Sequence, residues 1–276
     1  MVVRTAVVMA ALALGLSACG IRFVEHAFED DKAVSDKIES VVIQTGSGNV
    51  SIRYTEGTTQ TTIHRRVTHR RDQKPEGETH KVDGKVLTLN DCGNDCSVDY
   101  QVNLPSKEVK VGGTVGSGDV TVEGLAEVDV NAGSGHVIAR HVGGKVRIDA
   151  SSGDVVVEDA KGDVTAHVGS GHARLQDIKG KTTVDSGSGD ISGSGIDNDV
   201  NVIAHSGHVE LRMVSKRTVR AETGSGDIIL RVPDGPYKVD TESGSGDKHI
   251  DIATDPNATT VLNLRAGSGN ITVSPA

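Results

Sequence analysis

The sequence is short of aromatic residues: its 276 residues include no Trp, 2 Phe and 3 Tyr. Globular cores normally draw much of their buried area from aromatic rings. The scarcity therefore argues against a thick core and indicates thin layers of Val, Ile, Leu and Ala. Repeat architectures have cores of this kind, because each unit contacts only its neighbours.

Positive charge is also in deficit, with 29 Lys and Arg against 38 Asp and Glu and a net charge of −9. A nucleic-acid binder neutralises phosphates with an excess of Lys and Arg, so the composition argues against that class. One basic cluster stands out, His-Arg-Arg-Val-Thr-His-Arg-Arg at 64–71. We interpret it as a solvated strand face, with a contact to anionic lipid headgroups or wall polymer as the alternative.

Long apolar runs are absent except near the start, where one extends from Thr5 to Leu16 after Arg4. It is too short for a transmembrane helix and typical of a signal-peptide core. The run ends in Leu-Ser-Ala-Cys-Gly at 16–20, which resembles the bacterial lipobox. The resemblance implies cleavage before Cys19 and a diacylglycerol on its sulfur; an ordinary signal peptide with an incidental cysteine is the alternative. We expect an extracytoplasmic protein, lipid-anchored to the bacterial cell membrane.

Two further cysteines, Cys92 and Cys96, lie in a Gly- and Asn-rich turn. Outside the cytoplasm such a pair predicts a local disulfide. Two free thiols are the simplest alternative. Half of a zinc site is weaker, because no second pair at ligand spacing completes it.

Internal repetition dominates the chain: Gly-Ser-Gly recurs, followed by Asp, Asn or His and then Val or Ile. The second glycine of each unit, called the marker glycine, recurs at intervals of 17 to 23 residues, mostly 18. The marker glycines are Gly118, Gly135, Gly153, Gly171, Gly189, Gly207, Gly226, Gly246 and Gly269. Between them apolar residues alternate with period 2, which indicates two short strands in each unit.

Units this small bury their apolar faces only by stacking. The sequence therefore predicts an all-β, right-handed parallel β-solenoid (a single-stranded β-helix) with about 18 residues per coil. The hand follows from the general preference of parallel crossovers. We divide the chain into a lipoprotein signal peptide at 1–18, a lipid-anchored tether at 19–37, and a first strand with antiparallel capping hairpins and the Cys pair at 38–110. The repeat solenoid occupies 111–276.

The residue after each of the first seven marker glycines, Gly118 to Gly226, alternates between Asp and His, and we call this set the marker-turn ladder. Its members are Asp119, His136, Asp154, His172, Asp190, His208 and Asp227. One unit per coil places each Asp beside a His, whereas two units per coil would stack like on like at a cost. Histidine titrates near neutrality, so the ladder also suggests a stability that is lost as the pH rises. Inert, solvated turn residues are the alternative.

These features together resemble a known family. The lipobox, the Cys pair followed by Val-Asp-Tyr-Gln-Val-Asn-Leu-Pro at 98–105, and the serial Gly-Ser-Gly-Asp-Val units are similar to the DUF4097-type adhesin-like lipoproteins. The resemblance covers about residues 38–276 and implies a right-handed β-helix at the cell surface. It defines no catalytic residues, so we predict no catalytic site, no metal site and no cofactor.

The function we expect is a non-catalytic, adhesin-like binding or structural module of the cell envelope. Its partners would be the membrane, through the lipid at Cys19, and an envelope polymer or surface protein. One alternative is a solenoid that binds Ca²⁺ or Zn²⁺, although His is a poor ligand for a hard cation. A polysaccharide-active β-helix enzyme is less favoured, because aromatic platforms are scarce and the acids recur with the repeat.

Overall fold

The computed structural model describes residues 25–70, 75 and 77–276, which form twenty-five β-strands and no helix. The strands are β1 (His26–Val34), β2 (Ser40–Ser47), β3 (Val50–Tyr54), β4 (Thr61–His69), β5 (His80–Asp83), β6 (Val86–Asn90), β7 (Cys96–Leu104), β8 (Lys110–Ser117), β9 (Val120–Glu123), β10 (Glu127–Ser134), β11 (Val137–Val142), β12 (Val146–Ser152), β13 (Val155–Ala160), β14 (Val164–Ser170), β15 (Ala173–Ile178), β16 (Thr182–Ser188), β17 (Ile191–Ile196), β18 (Val200–Ser206), β19 (Val209–Met213), β20 (Val219–Ser225), β21 (Ile228–Val232), β22 (Lys238–Ser245), β23 (Lys248–Ile250), β24 (Val261–Ser268) and β25 (Ile271–Pro275).

No helix with the length and apolar character needed to cross a bilayer occurs in this described part of the chain.

Two long sheets face each other. Sheet A has 13 strands in the order β1-β4-β7-β3-β9-β11-β13-β15-β17-β19-β21-β25-β23, and sheet B has 12 in the order β22-β24-β20-β18-β16-β14-β12-β10-β8-β2-β6-β5. Each repeat unit gives one strand to each sheet, and we call this two-strand coil a rung. Neighbouring rungs pair in parallel; in sheet A, for example, Val137 pairs with Val155 and Val155 with Ala173. The parallel β-solenoid with one 18-residue unit per coil is confirmed.

The core is a thin aliphatic column between the sheets. On β12, Val146, Ile148 and Ala150 are buried while Arg147 faces solvent, and this alternation recurs on every central rung. Burying each Val or Ile side chain contributes about 1.5–3 kcal/mol. The largest buried aromatics, Tyr100 and Tyr237, lie near the two ends of the stack. Stability is thus distributed along the rungs and does not depend on a central aromatic cluster.

The stacking order is the same as the chain order in the middle and differs from it at both ends. Seven rungs, from β8–β9 to β20–β21, stack consecutively. At one end β2–β3 lies directly on β8–β9, and β6–β7 lies outside it. At the other end β24–β25 lies on β20–β21, and β22–β23 lies outside. The first and last rungs of the chain are therefore internal, and we call them the interleaved rungs.

This interleaving corrects the expectation that consecutive units lie directly on one another throughout. Its cause at the C-terminal end is apolar burial. Leu262 and Leu264 of β24 are fully buried against β20. The matching positions of β22, Val239 and Thr241, remain partly exposed, so the more polar unit takes the outer position.

The N-terminal cap contains the predicted antiparallel pairs: β4 lies between β1 and β7, and β5 and β6 form a hairpin through Gly84. Two features differ from the sequence prediction. The strands β6 and β7, expected only in hairpins, also pair in parallel with β2 and β3 as the outermost rung. The predicted tether at 19–37 contains β1, which forms a strand despite lacking the repeat because β4 supplies a complementary edge.

A buried ion pair holds β1 to the cap. The side chain of Arg65 is 6% exposed; its Nε and Nη2 donate to Asp30 at 2.6 and 2.7 Å, and its Nη1 donates to Thr79 Oγ1 at 2.9 Å. Tyr100 donates from its hydroxyl to the Thr79 carbonyl at 2.6 Å, and burial raises the pKa of Tyr100 to about 12. The hydrogen bonds that Arg65 donates to Asp30 are the main cause of the raised pKa of Arg65.

We predict that Asp30→Asn lowers the free energy of unfolding by about 3 kcal/mol, because it leaves a buried guanidinium without its counter-charge. The matched control is Asp31→Asn. Asp31 is adjacent in sequence, its side chain is 85% exposed and it pairs with His64, so the loss should stay near 0.5 kcal/mol. Urea unfolding of both variants tests this. Equal losses would contradict a structural role for the buried pair.

Successive rungs approach closely at the marker glycines. Gly171 has φ +134°, and a Cβ there would lie 2.2 Å from the Gly153 carbonyl oxygen of the preceding rung. The fold therefore requires residue 171 both to adopt a positive φ and to lack a side chain.

Gly171→Ala should destabilise the fold by on the order of 3 kcal/mol or more, since it combines a strained φ with a backbone clash. Gly57→Ala is the matched control: Gly57 has φ +81°, but a Cβ would meet nothing within 4 Å. That variant should lose only roughly 1–2 kcal/mol. Thermal and urea unfolding measure both, and a loss in Gly171→Ala no larger than in the control would refute the close approach.

Candidate functional site

The basic cluster at 64–71 lies on β4 and just after it, and four of its described side chains are paired with acids of the preceding segment. A fifth, His69, stacks on the ring of His26. Arg65 binds Asp30 as above. The other pairs are Arg66 with Glu29 at 3.7 Å, His64 with Asp31 at 2.9 Å and Arg70 with Glu25 at 3.2 Å. Arg71 lies outside the described residues. The cluster is therefore largely neutralised within the cap, which argues against a free cationic patch. The predicted solvated strand face describes His64, Arg66 and Arg70, and it is wrong for the buried Arg65 and His69.

The marker-turn ladder is a continuous chain of hydrogen bonds between rungs. Each side chain accepts from the backbone N–H of the corresponding residue one rung further on. Asp119 Oδ1 accepts from His136 at 2.8 Å, His136 Nδ1 from Asp154 at 3.2 Å, and Asp154 Oδ1 from His172 at 2.9 Å. The series continues with His172, Asp190 and His208, which accept at 3.1, 2.8 and 3.0 Å, and the Asp227 N–H donates the last of these bonds.

The ladder extends beyond the seven residues found in the sequence and has one member on each of the eleven rungs. Its further members are Asp99, Asn49, Asn270 and Asp247. Asn49, Asp247 and Asn270 follow Gly-Ser-Gly motifs, so the same signal identifies them. Asp99 has no such motif, because a Cys-containing turn replaces it, and only the parallel pairing of β7 with β3 reveals it.

Asp, Asn and His are interchangeable at this position because each has a hydrogen-bond acceptor, Oδ1 or Nδ1, at the same distance from the backbone. A histidine accepts through Nδ1 only when its ring is neutral. His Nδ1 also lies 3.7 to 3.9 Å from an Oδ2 of the following Asp. The backbone hydrogen bond therefore requires the neutral ring, and protonation of the ring would break it, which opposes the stabilisation at low pH that the sequence suggests.

The ladder side chains are directed at backbone N–H groups and do not converge on a common point. Within the described residues, no three His, Cys, Asp or Glu side chains are arranged to hold a metal ion. Successive ladder carboxylates are two rungs apart, about 9.6 Å by the strand spacing. The role that this geometry assigns to the ladder is the stabilisation of rung stacking.

Cys92 and Cys96 are joined by a disulfide with their Cα atoms 5.9 Å apart. The bond closes the turn between β6 and β7, where inner rungs have Gly-Ser-Gly, and Ser47 Oγ of the next rung donates to the Cys96 carbonyl at 3.4 Å. The disulfide therefore fixes the corner of the outermost rung. Cys19, the predicted lipidation site, lies outside the described residues.

The outer face of sheet B carries a groove of about 650 Å³ that runs across several rungs. Its polar lining includes Asn131, Asp149, His167 and Asp185, which occupy equivalent positions on successive rungs. Its floor is formed by small residues just before the marker turns, such as Gly169. A groove of this shape, lined by small residues and by a row of polar side chains, can receive an extended chain.

A comparison with known families shows which family has this architecture. The family model described as Toastrack DUF4097 matches residues 34–274. The chain belongs to that family. A comparison with curated proteins finds no match. The Toastrack match agrees with the resemblance identified from the lipobox, the Cys pair and the repeats.

Several solved structures are similar to the chain at low identity. They include a candidate cell adhesion protein from Clostridium sporogenes (15% identity, 91% of this chain and 100% of that one, TM-score 0.34). A candidate adhesin from Bacteroides fragilis has 14% identity over 93% and 100%, with a TM-score of 0.38. A candidate lipid-binding protein from Parabacteroides distasonis has 12% identity over 90% and 96%, with a TM-score of 0.44.

The ladder predicts a simple rule for substitutions. Asp154→Ala should lower the free energy of unfolding by about 1 kcal/mol, because the His172 N–H loses its acceptor. Asp154→Asn keeps an oxygen at the same place and should stay within a few tenths of a kcal/mol, about experimental error. His172→Ala and His172→Asn form a second matched pair. Urea unfolding at neutral pH measures all four, and an Asn variant as unstable as its Ala partner would contradict the acceptor role.

Proposed function

We propose that the chain is an extracytoplasmic lipoprotein, anchored through an acylated Cys19, whose Toastrack solenoid is a non-catalytic, adhesin-like binding or structural module of the cell envelope. The observation that carries the proposal is that the titratable side chains of the repeat hold the rungs together. Asp and His of the marker-turn ladder accept hydrogen bonds from neighbouring backbone, so they maintain the rod, and the exposed sheet faces are left to contact a partner.

Two features of the chain support the location. The lipobox sequence at 16–20 follows an apolar run of signal-peptide length, and a single acyl chain holds only marginally whereas two or more anchor firmly. The disulfide between Cys92 and Cys96 fits an oxidising compartment.

The anchor is tested by expressing the full chain in a bacterium supplied with an alkyne analogue of palmitate. The wild type should incorporate the label and sediment with membranes. Cys19→Ser should lose the label and leave the membrane fraction, whereas the double variant Cys92→Ser/Cys96→Ser should keep the label. Labelling that persists in Cys19→Ser would contradict acylation of Cys19.

The module's role is tested with the Cys19→Ser chain and purified bacterial cell walls. The proposal expects saturable co-sedimentation without release of reducing sugar ends. Release of reducing ends would favour the polysaccharide-active enzyme. Co-sedimentation that requires added Ca²⁺ or Zn²⁺ would favour the metal-binding solenoid, and no co-sedimentation would leave only a spacer role.

A further inference from the structure

The outer face of sheet A has a depression of about 330 Å³ that is unlike the faces around it. Its floor is β17, where the outward residues Ser192 and Ser194 are small. Longer side chains surround this floor, from β15 on one side and from β19 and β21 on the other. The depression exists because one rung lacks bulk where its neighbours have arginine and glutamate.

The depression is positively charged in a chain whose net charge is −9. Arg174, Arg212 and Arg231 line it, and Glu210 is the one carboxylate among its lining residues. Glu210 is already bound, since its Oε1 lies 2.5 Å from Arg231 Nη1. The four side chains sum to a formal charge of +2.

Two of these arginines have no partner within the described chain. Arg174 and Arg212 are exposed and form no hydrogen bond, ion pair or ring contact with any described residue. Both flank the serine floor: Arg174 pairs in register with Ser192, and Arg212 with Ser194. Their guanidinium groups and two hydroxyls are thus free to bind an added group.

The residues in register with Ser194 and Arg212 form a row across the strands of sheet A, and the charge pattern of this row changes at the depression. Towards the N-terminal end of the sheet, the row consists of Glu123, Arg140 and Glu158, and Arg140 binds Glu158 at 2.6 Å. At the depression Arg212 lies directly opposite Arg231. Like charges opposite each other on parallel strands destabilise a sheet, and a bound anion would relieve that repulsion.

We propose that this depression binds an oxoanion, a carboxylate or phosphate group carried by an acidic envelope polysaccharide. Arginine's planar fork matches the paired oxygens of either group, and the serine hydroxyls would donate to a third oxygen. The inference that a polysaccharide carries the oxoanion rests on the proposed envelope function. The oxoanion site itself rests on Arg174, Arg212 and the serine floor.

The experiment titrates the full chain with trigalacturonate and, separately, with inorganic phosphate, and follows arginine Nε–H signals by NMR. Arg174 and Arg212 signals should shift with saturation. Arg174→Gln and Arg212→Gln should each weaken binding about tenfold, the loss of one charge-assisted hydrogen-bonding group. The matched control is Arg265→Gln. Arg265 is exposed on sheet B and lies in register between Glu222 and Glu242, so this substitution should leave the affinity unchanged.

Binding of trigalacturonate more tightly than phosphate supports a carboxylated polysaccharide, and the reverse order supports a phosphorylated one. The proposal is overturned if neither probe shifts the two signals, or if Arg265→Gln weakens binding as much as the depression variants do. Because this readout uses small anions, its failure leaves the cell-wall co-sedimentation result unaffected, and the two proposals can fail separately.

Discussion

Contact between the backbones of successive rungs at the marker turn is the constraint on which the fold depends. The chain turns there with positive φ, and the carbonyl oxygen of one rung occupies the space that a side chain of the next would need, as at Gly153 and Gly171. Glycine alone meets both conditions. The close approach also brings the next backbone N–H within reach of the side chain that follows the glycine, which makes the marker-turn ladder possible.

Among the residues that the structure describes, the two ends of the rod have strand edges without a partner strand, and such edges invite pairing with other chains. In sheet A the edges are β1, which is rich in acids, and β23, which has three residues. In sheet B they are β5, which has four residues, and β22, which is largely polar. Short or charged edges of this kind limit end-to-end growth of the rod.

The repeated part of the fold could be predicted because one local rule, backbone approach at a glycine, recurs at constant spacing. Alternating Asp and His then determined that one unit makes one rung. The interleaved rungs and β1 could not be predicted, because they depend on which unit best covers an apolar end, a comparison between distant segments. The sequence gives no motif for Asp99 either. The depression around Ser192 could not be predicted, because Arg174 occupies a different position in the repeat from Arg212 and Arg231, and only the stacking of the rungs brings the three together.

The interleaved rungs have a consequence for the way the molecule is built. A rod whose units stacked in strict succession could grow one layer at a time as the polypeptide emerges. Here β24–β25, the last layer in sequence, lies between β20–β21 and β22–β23. The layer β22–β23 therefore cannot take its place until β24–β25, which follows it in the chain, has stacked on β20–β21.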